Sequence, residues 1–180
     1  MDFIIFDLEA TCWNGNNLGK SQEIIEIGAV RISSLGEYRG QFQQFVKPKL
    51  NPNLSAYCQE LTGIEQPQIN RASSFEKVTD DFKHWIDHEL NDYVLCSWGA
   101  KDIELLQHDC ALFEMETKWL SPHIDLKAQF HRIKKLKRKQ GLYKTIDREG
   151  FEFEGNHHRA LDDSINTAKL FVKYLDEWRY

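Results

Sequence analysis

The chain has 180 residues, of which 41% are hydrophobic and 28% charged, and its formal net charge is −5. These values are typical of a globular protein and predict a single domain over residues 1–180. The acidic balance argues against a histone-like or repressor-like protein, which holds nucleic acid through a basic field. The sequence has no signal-peptide pattern, no apolar run of membrane-spanning length and no Cys-x-x-Cys pair, so we expect a cytoplasmic protein with reduced thiols and no membrane partner.

The first half of the chain predicts a β-meander followed by helices. Apolar and β-branched runs indicate strands, Asn and Gly indicate the first loop, and Ser residues before apolar periodicity indicate helix starts, including a Ser-Ser-Phe-Glu capping box. The predicted elements are strands at 3–6, 23–32 and 38–46, a loop at 12–21, and helices at 55–61 and 75–90.

The second half alternates strands and helices. A short buried strand leads into a helix, and a second strand leads into an amphipathic helix, which predicts helices packed on the faces of a mixed sheet. The predicted elements are strands at 93–96 and 119–124, helices at 101–113 and 125–139, a short helix or turn at 142–146, and a last helix at 160–177.

Three carboxylates follow two of the predicted strands. Asp7 and Glu9 come after the first strand and point to one face, roughly 6–7 Å apart along it. Asp102 follows the strand at 93–96, and its carboxylate meets the other two if those strands are parallel neighbours. Close carboxylates are costly to bury unless a cation pairs with them, and Mg²⁺ and Mn²⁺ prefer oxygen ligands. Strand ends that simply reach solvent are the alternative.

A histidine and an aspartate begin the last predicted helix. His158 and Asp163 are five residues apart, just over one helical turn, so both can face the same sheet edge. Asp162 is about 100° away around the helix, which places it beside the cluster or on the surface. On spacing alone, a surface role for His158 stays open.

In order, Asp7/Glu9, Asp102 and His158/Asp163 match Asp-x-Glu, Asp and His-x-x-x-x-Asp motifs, and the chain resembles the DEDDh family of 3′-5′ exonucleases. The segments Asp-Leu-Glu-Ala-Thr-Cys, Cys-Gln-Glu-Leu-Thr-Gly-Ile-Glu-Gln, Ser-Trp-Gly and His-Arg-Ala-Leu-Asp-Asp look like its enhanced-RNAi and histone-mRNA 3′-exonuclease branch, most of all the bacterial KapD-type proteins. The resemblance covers nearly the whole chain. It implies an RNase H-like α/β fold with a five-stranded mixed sheet.

The resemblance also implies roles for individual residues. Two divalent ions, Mg²⁺ or Mn²⁺, would be held by four carboxylates, those of Asp7, Glu9, Asp102 and Asp163. His158 would act as general base, and Glu9 would also contact the reacting nucleotide. The expected substrate-binding residues are Leu8, Glu9, Ala10, Thr11, Leu61, Thr62, Trp98 and His158, although Trp98 could equally belong to the core.

The predicted activity is hydrolysis of phosphodiester bonds from a free 3′ end of single-stranded nucleic acid, with RNA preferred. Two alternatives stay open: a proofreading-type DNA exonuclease, and a regulatory binding protein with the same fold. The basic run at 134–139 could guide RNA or could be the solvated side of a helix.

Overall fold

The computed structural model describes residues 1–15 and 19–180, so part of the predicted loop at 12–21 lies outside the described residues. The strands are β1 (Asp2–Ala10), β2 (Ile24–Ser33), β3 (Tyr38–Lys47), β4 (Ser73–Ser74), β5 (Tyr93–Ser97) and β6 (His123–Asp125).

These six strands form one sheet in the order β4-β3-β2-β1-β5-β6. β1, β2 and β3 are an antiparallel meander, whereas β5 runs parallel to β1 and β6 parallel to β5. The predicted mixed α/β sheet is confirmed, and β1 and β5 meet the condition of being parallel neighbours. The sheet has one strand more than the five predicted, because the two-residue β4 pairs with the end of β3.

The helices of the described ranges are α1 (Ala56–Thr62), α2 (Gln66–Arg71), α3 (Phe75–Trp85), α4 (Lys101–Leu112), α5 (Leu126–Ile133), α6 (Leu142–Arg148) and α7 (Ala160–Lys173), with 3₁₀ turns at Lys118–Leu120 and Leu175–Glu177. The helix α2 has no counterpart among the predicted elements, because its N-cap is Glu65 and the sequence signature of a capping box begins with Ser, Thr, Asp or Asn. The cap of α3 is Ser74 rather than Ser73, since the Ser74 hydroxyl accepts the N–H of Lys77.

Three predicted boundaries in the second half are wrong. The last helix ends at Lys173 instead of residue 177, because Leu175–Glu177 forms a 3₁₀ turn. The strand at 119–124 begins only at His123, because the chain first forms a 3₁₀ turn and then passes Pro122, which has no N–H for a ladder. The helix α5 ends at Ile133 instead of residue 139. There Lys135 adopts a left-handed conformation (φ 50°) and the Leu136 N–H bonds the carbonyl of His131, which closes the helix.

β1 is longer than the predicted run at 3–6. Its pairing with β2 continues to Ala10, so Asp7 lies opposite Gly28 and Glu9 opposite Glu26 inside the sheet. The two carboxylates therefore belong to a central strand and do not follow its end.

The two faces of the sheet bury separate apolar clusters. Phe3 and Ile5 pack with residues of α5, α6 and α7, while Ile4 and Phe6 pack with residues of α3 and α4. Because side chains alternate along a strand, Asp7 continues the row that faces α7. α7 comes so close to β2 that a Cβ on Gly28 would lie 2.1 Å from the backbone nitrogen of Leu161.

The four cysteines are free, as predicted. No helix in the described ranges combines the length and the apolar character that crossing a membrane requires. The cytoplasmic location stays a prediction.

Candidate active site

Four carboxylates meet where β1 and β5 approach α4 and α7. β1 carries Asp7 and Glu9, α4 carries Asp102 in its first turn, and α7 carries Asp163. One carboxylate oxygen each of Asp7, Glu9 and Asp163 lies within 4.8 Å of the others. The charge of Asp102 acts on both carboxylates of β1. The structure thus brings together the four residues that the motifs selected.

Burial and mutual repulsion raise the pKa values of these carboxylates. Burial, followed by the charges of Asp102 and Asp163, raises the pKa of Asp7 well above its usual range. Burial and then Asp163 raise the pKa of Glu9 to about 8. Burial raises the pKa of Asp102 to about 7, although backbone N–H groups oppose the shift. A divalent cation would remove this repulsion, and an all-carboxylate set suits hard cations such as Mg²⁺ and Mn²⁺.

His158 lies beside the carboxylates at the start of α7. Its backbone is left-handed (φ 68°), and its N–H donates to Oδ2 of Asp163 at 3.2 Å. Burial, followed by the neighbouring His157, lowers the pKa of the imidazole, which favours its neutral form. A neutral imidazole beside this cluster of carboxylates has the properties of a general base.

His157, which the motif spacing sets aside, also contacts the cluster. Its Nδ1 is 3.0 Å from Oδ1 of Asp163, and its ring stacks on that of His158 with centroids 4.0 Å apart. The contact depends on the left-handed turn at His158, which spacing does not reveal.

Asp162 stands outside the group of carboxylates. Its carboxylate accepts the N–H of Asn156 at 2.7 Å and packs against Gly155, where a Cβ would lie 2.3 Å from the Asp162 side chain. Asp162 therefore holds the turn that carries the histidines, in keeping with its predicted place beside the cluster.

A buried ion pair that the sequence reasoning missed holds the same turn to the sheet. Glu26 is fully buried on β2, and both its oxygens are bound by Arg159, at 2.8 and 3.1 Å. The N–H of Ala160 and the side-chain amide of Gln43 also donate to this carboxylate. A glutamate inside an apolar strand is a signal for such a pair, but its partner is distant in sequence.

Five of the expected substrate-binding residues line one cleft of about 600 Å³. Asp102 and Lys101 line it as well. The five are Leu8, Glu9, Ala10, Leu61 and His158.

The other three expected residues turn their side chains away. Thr11 and Thr62 are each 2% exposed, and their hydroxyls bond the backbone N–H of Glu23 and the carbonyl of Cys58. Trp98 is buried in the apolar cluster under α5, with its ring 5.5 Å from that of Phe130. Their predicted nucleotide contacts are not supported, because motif resemblance does not distinguish side chains that support a cleft from those that line it.

The basic run at 134–139 follows α5 and is not one face of it. Lys134 bonds the hydroxyl of Tyr174 and pairs with Glu149, while Lys137, Arg138 and Lys139 are exposed. The interpretation as the solvated side of a helix is therefore wrong, and a contact of the exposed part with RNA stays a prediction.

Comparison with known proteins finds relatives that are named as exonucleases or exoribonucleases. The exonuclease (RNase_T) family profile matches residues 4–171. Human ERI1 exoribonuclease 2 is 33% identical over 96% of this chain, which spans only 28% of that protein. The Bacillus subtilis protein named "Probable 3'-5' exonuclease KapD" is 29% identical over 98% of this chain and 86% of its own length. The nuclease domain of 3′hExo, a DEDDh family member bound to rAMP, superposes with a TM-score of 0.92 and 31% identity over 99% of this chain and 94% of that one.

The family profile, the relatives and the superposition confirm the predicted resemblance and the RNase H-like fold. The chain belongs to the exonuclease (RNase_T) family and has DEDDh exonucleases as its structural neighbours.

Proposed function

We propose that this chain is a metal-dependent 3′-5′ exonuclease that shortens single-stranded nucleic acid from its 3′ end, with RNA as the preferred substrate. One observation carries the proposal: Asp7 and Glu9 face two further carboxylates, and in the described residues their side chains make no ion pair or hydrogen bond. Family membership supports the exonuclease activity. The human exoribonuclease relative and the neighbour bound to rAMP support RNA as the substrate.

The donor set fits two Mg²⁺ or Mn²⁺ ions, held by Asp7, Glu9, Asp102 and Asp163. When bound, divalent ions supply Lewis-acid stabilisation of the charge that develops on a phosphodiester during hydrolysis. The chain prepares the site by burying four carboxylates that a cation can neutralise.

His158 would accept the proton of the attacking water, because its neutral imidazole lines the cleft beside Glu9. The water oxygen bonds phosphorus and the P–O3′ bond breaks, which releases a nucleoside 5′-monophosphate and a new 3′ hydroxyl on the shortened chain. A positioned base of this kind contributes ~10²–10⁴-fold in rate.

The cleft explains why an end would be preferred to an internal site. Glu9 and Ala10 would contact the 3′-terminal nucleotide, and Leu8 and Leu61 add apolar surface against its base and sugar. A terminal hydroxyl can donate to the Glu9 carboxylate, whereas a 3′ phosphate would bring further negative charge to an acidic group.

The direct test uses 5′-labelled single-stranded RNA and DNA of one sequence, with Mn²⁺, Mg²⁺ or EDTA. We expect RNA to shorten stepwise from its 3′ end with either ion, EDTA to stop the reaction, and a 3′-phosphorylated strand to resist. Internal cutting of a circular strand would contradict the exonuclease assignment. A strong preference for DNA would favour a proofreading-type enzyme, and binding of RNA without cleavage would favour a regulatory binding protein.

A further inference from the structure

Asp163 belongs to two different groups of possible metal ligands. In the first, the carboxylate cluster, Asp163 lies with Asp7 and Glu9. In the second, it lies with His157 and His158. In each group, one ligand atom per residue lies within 4.8 Å of the others. The two groups differ in chemistry: carboxylate oxygens suit Mg²⁺ and Mn²⁺, whereas two imidazoles with one carboxylate are a donor set typical of Zn²⁺.

One distance in the histidine group is already close to what zinc requires, whereas the second imidazole has to turn. Zinc bonds of 2.0–2.1 Å in a tetrahedron place ligand atoms about 3.3 Å apart. Nδ1 of His157 and Oδ1 of Asp163 are already 3.0 Å apart. The left-handed backbone at His158 (φ 68°) leaves the two consecutive rings stacked, 24° from parallel and 4.0 Å between centroids, so one ring has to rotate before both imidazoles can bind one ion.

The surroundings hold the outer histidine and leave it accessible. The His157 ring packs against Tyr143 and Phe153, with centroids 5.7 and 5.5 Å away. Its side chain is nevertheless 38% exposed, so an ion can reach it from solvent. Asp162 stabilises the turn that bears both histidines, because its carboxylate accepts the N–H of Asn156.

We propose that His157, His158 and Asp163 form a zinc site that competes with the carboxylate site for Asp163. Zinc bound there occupies a carboxylate that the catalytic ions need and the imidazole assigned as general base. Zinc should therefore inhibit hydrolysis even when Mn²⁺ is present. The inhibitory part rests on the proposed function, whereas zinc binding itself does not.

Binding is tested by calorimetric titration of the full, metal-free chain with zinc chloride, because excess Mg²⁺ would compete for Asp163. His157→Phe keeps an aromatic ring against Tyr143 and Phe153 and removes the nitrogen ligands. We expect it to weaken zinc binding at least about ten-fold, while His84→Phe, an exposed histidine on α3, leaves the affinity unchanged. Zinc X-ray absorption should count two imidazoles in the parent protein and one in His157→Phe.

Equal zinc affinity and equal imidazole counts in the parent and in His157→Phe would overturn the proposal. Competition supplies a second criterion, because sharing Asp163 requires that added Mn²⁺ weaken zinc binding in proportion to its concentration. Inhibition is measured relative to each variant's own activity in Mn²⁺, and the zinc concentration for half-inhibition should rise at least about ten-fold in His157→Phe. A protein that binds zinc as described but cleaves no RNA with any ion would contradict the proposed function alone.

Discussion

Two neighbouring glutamates on adjacent strands differ in whether their carboxylates have bonding partners. Glu26 on β2 is fully buried, and its carboxylate is bound by Arg159, by the N–H of Ala160 and by Gln43. Glu9 on β1 lies directly opposite Glu26 in the strand register, yet in the described residues no cation or donor bonds it. The chain therefore has the means to neutralise a buried carboxylate at this place and does so for only one of the two.

Other buried acids in the described ranges resemble Glu26. The carboxylate of Glu23 accepts the N–H groups of Lys49, Leu50 and Asn51, and Asp2 pairs with Arg31. The unpaired charge around Glu9 is thus specific to one place and does not follow from the acidic composition. Such a charge is destabilising in a protein interior unless a bound cation offsets it, which is why we assign the cluster to metal binding.

The largest effect should come from removing one charge of the carboxylate cluster. Asp7→Asn and Asp163→Asn should each slow RNA hydrolysis at least about 10³-fold, because metal ions supply several kcal/mol of transition-state stabilisation. Single-turnover assays in Mn²⁺ measure the rates. The matched control is Asp162→Asn, which should cost less than about ten-fold, since Asp162 bonds the turn and not the cluster. If Asp162→Asn proved the more damaging, the third motif would be misassigned.

The next effect separates the base from the ligands. His158→Asn should slow hydrolysis by ~10²–10⁴-fold, the range of a general base, and should keep its affinity for Mn²⁺. His84→Asn, on the exposed side of α3, should match the parent protein. Loss of Mn²⁺ affinity in step with activity would mean that His158 is a ligand or a structural support.

The ion pair of Glu26 and Arg159 should contribute to the stability of the fold. Glu26→Gln leaves Arg159 without its partner and should lower the free energy of unfolding by about 3 kcal/mol. Breaking the exposed pair of Lys77 and Asp81 with Lys77→Met should cost much less, because solvent screens exposed pairs. Urea unfolding in EDTA measures both. Equal costs for the two variants would remove the contrast between Glu26 and an ordinary surface pair.

A smaller effect should appear when the metal-free protein is titrated. Glu9 has an ordinary pKa of 4.5, and its pKa in the folded protein is about 8. Between these two values the folded state binds more protons than the unfolded state, so stability should fall as pH rises. In EDTA from pH 5 to 8, we expect the parent protein to lose at least about 1 kcal/mol more than Glu9→Gln. Parallel stability curves would show that Glu9 ionises without penalty.

The sequence was sufficient for features that depend on spacing. Strand alternation places Asp7 and Glu9 together, and motif order points to Asp102. The spacing brings His158 to Asp163 as predicted, although His158 lies in the turn before the helix and not within it. The mixed character of the sheet follows from the order of the elements, whereas its strand order was not predicted.

Features that depend on register or backbone conformation were not predictable in this way. Arg159 meets Glu26 across 133 positions of sequence, which spacing cannot show. His157 reaches Asp163 only because the next residue is left-handed. Trp98 follows a strand as a base-stacking residue would, but its side chain points into the core.

The most direct test of the account is a calorimetric titration of the metal-free protein with Mn²⁺. We predict that the parent protein and Glu26→Gln bind two ions, and that Asp7→Asn loses at least one of them. Differential scanning calorimetry at increasing Mn²⁺ concentrations should show a rising melting temperature for the parent protein and an unchanged one for Asp7→Asn. A parent protein that binds no Mn²⁺, or an Asp7→Asn variant that binds it unchanged, would contradict the assignment of the unpaired carboxylates to metal.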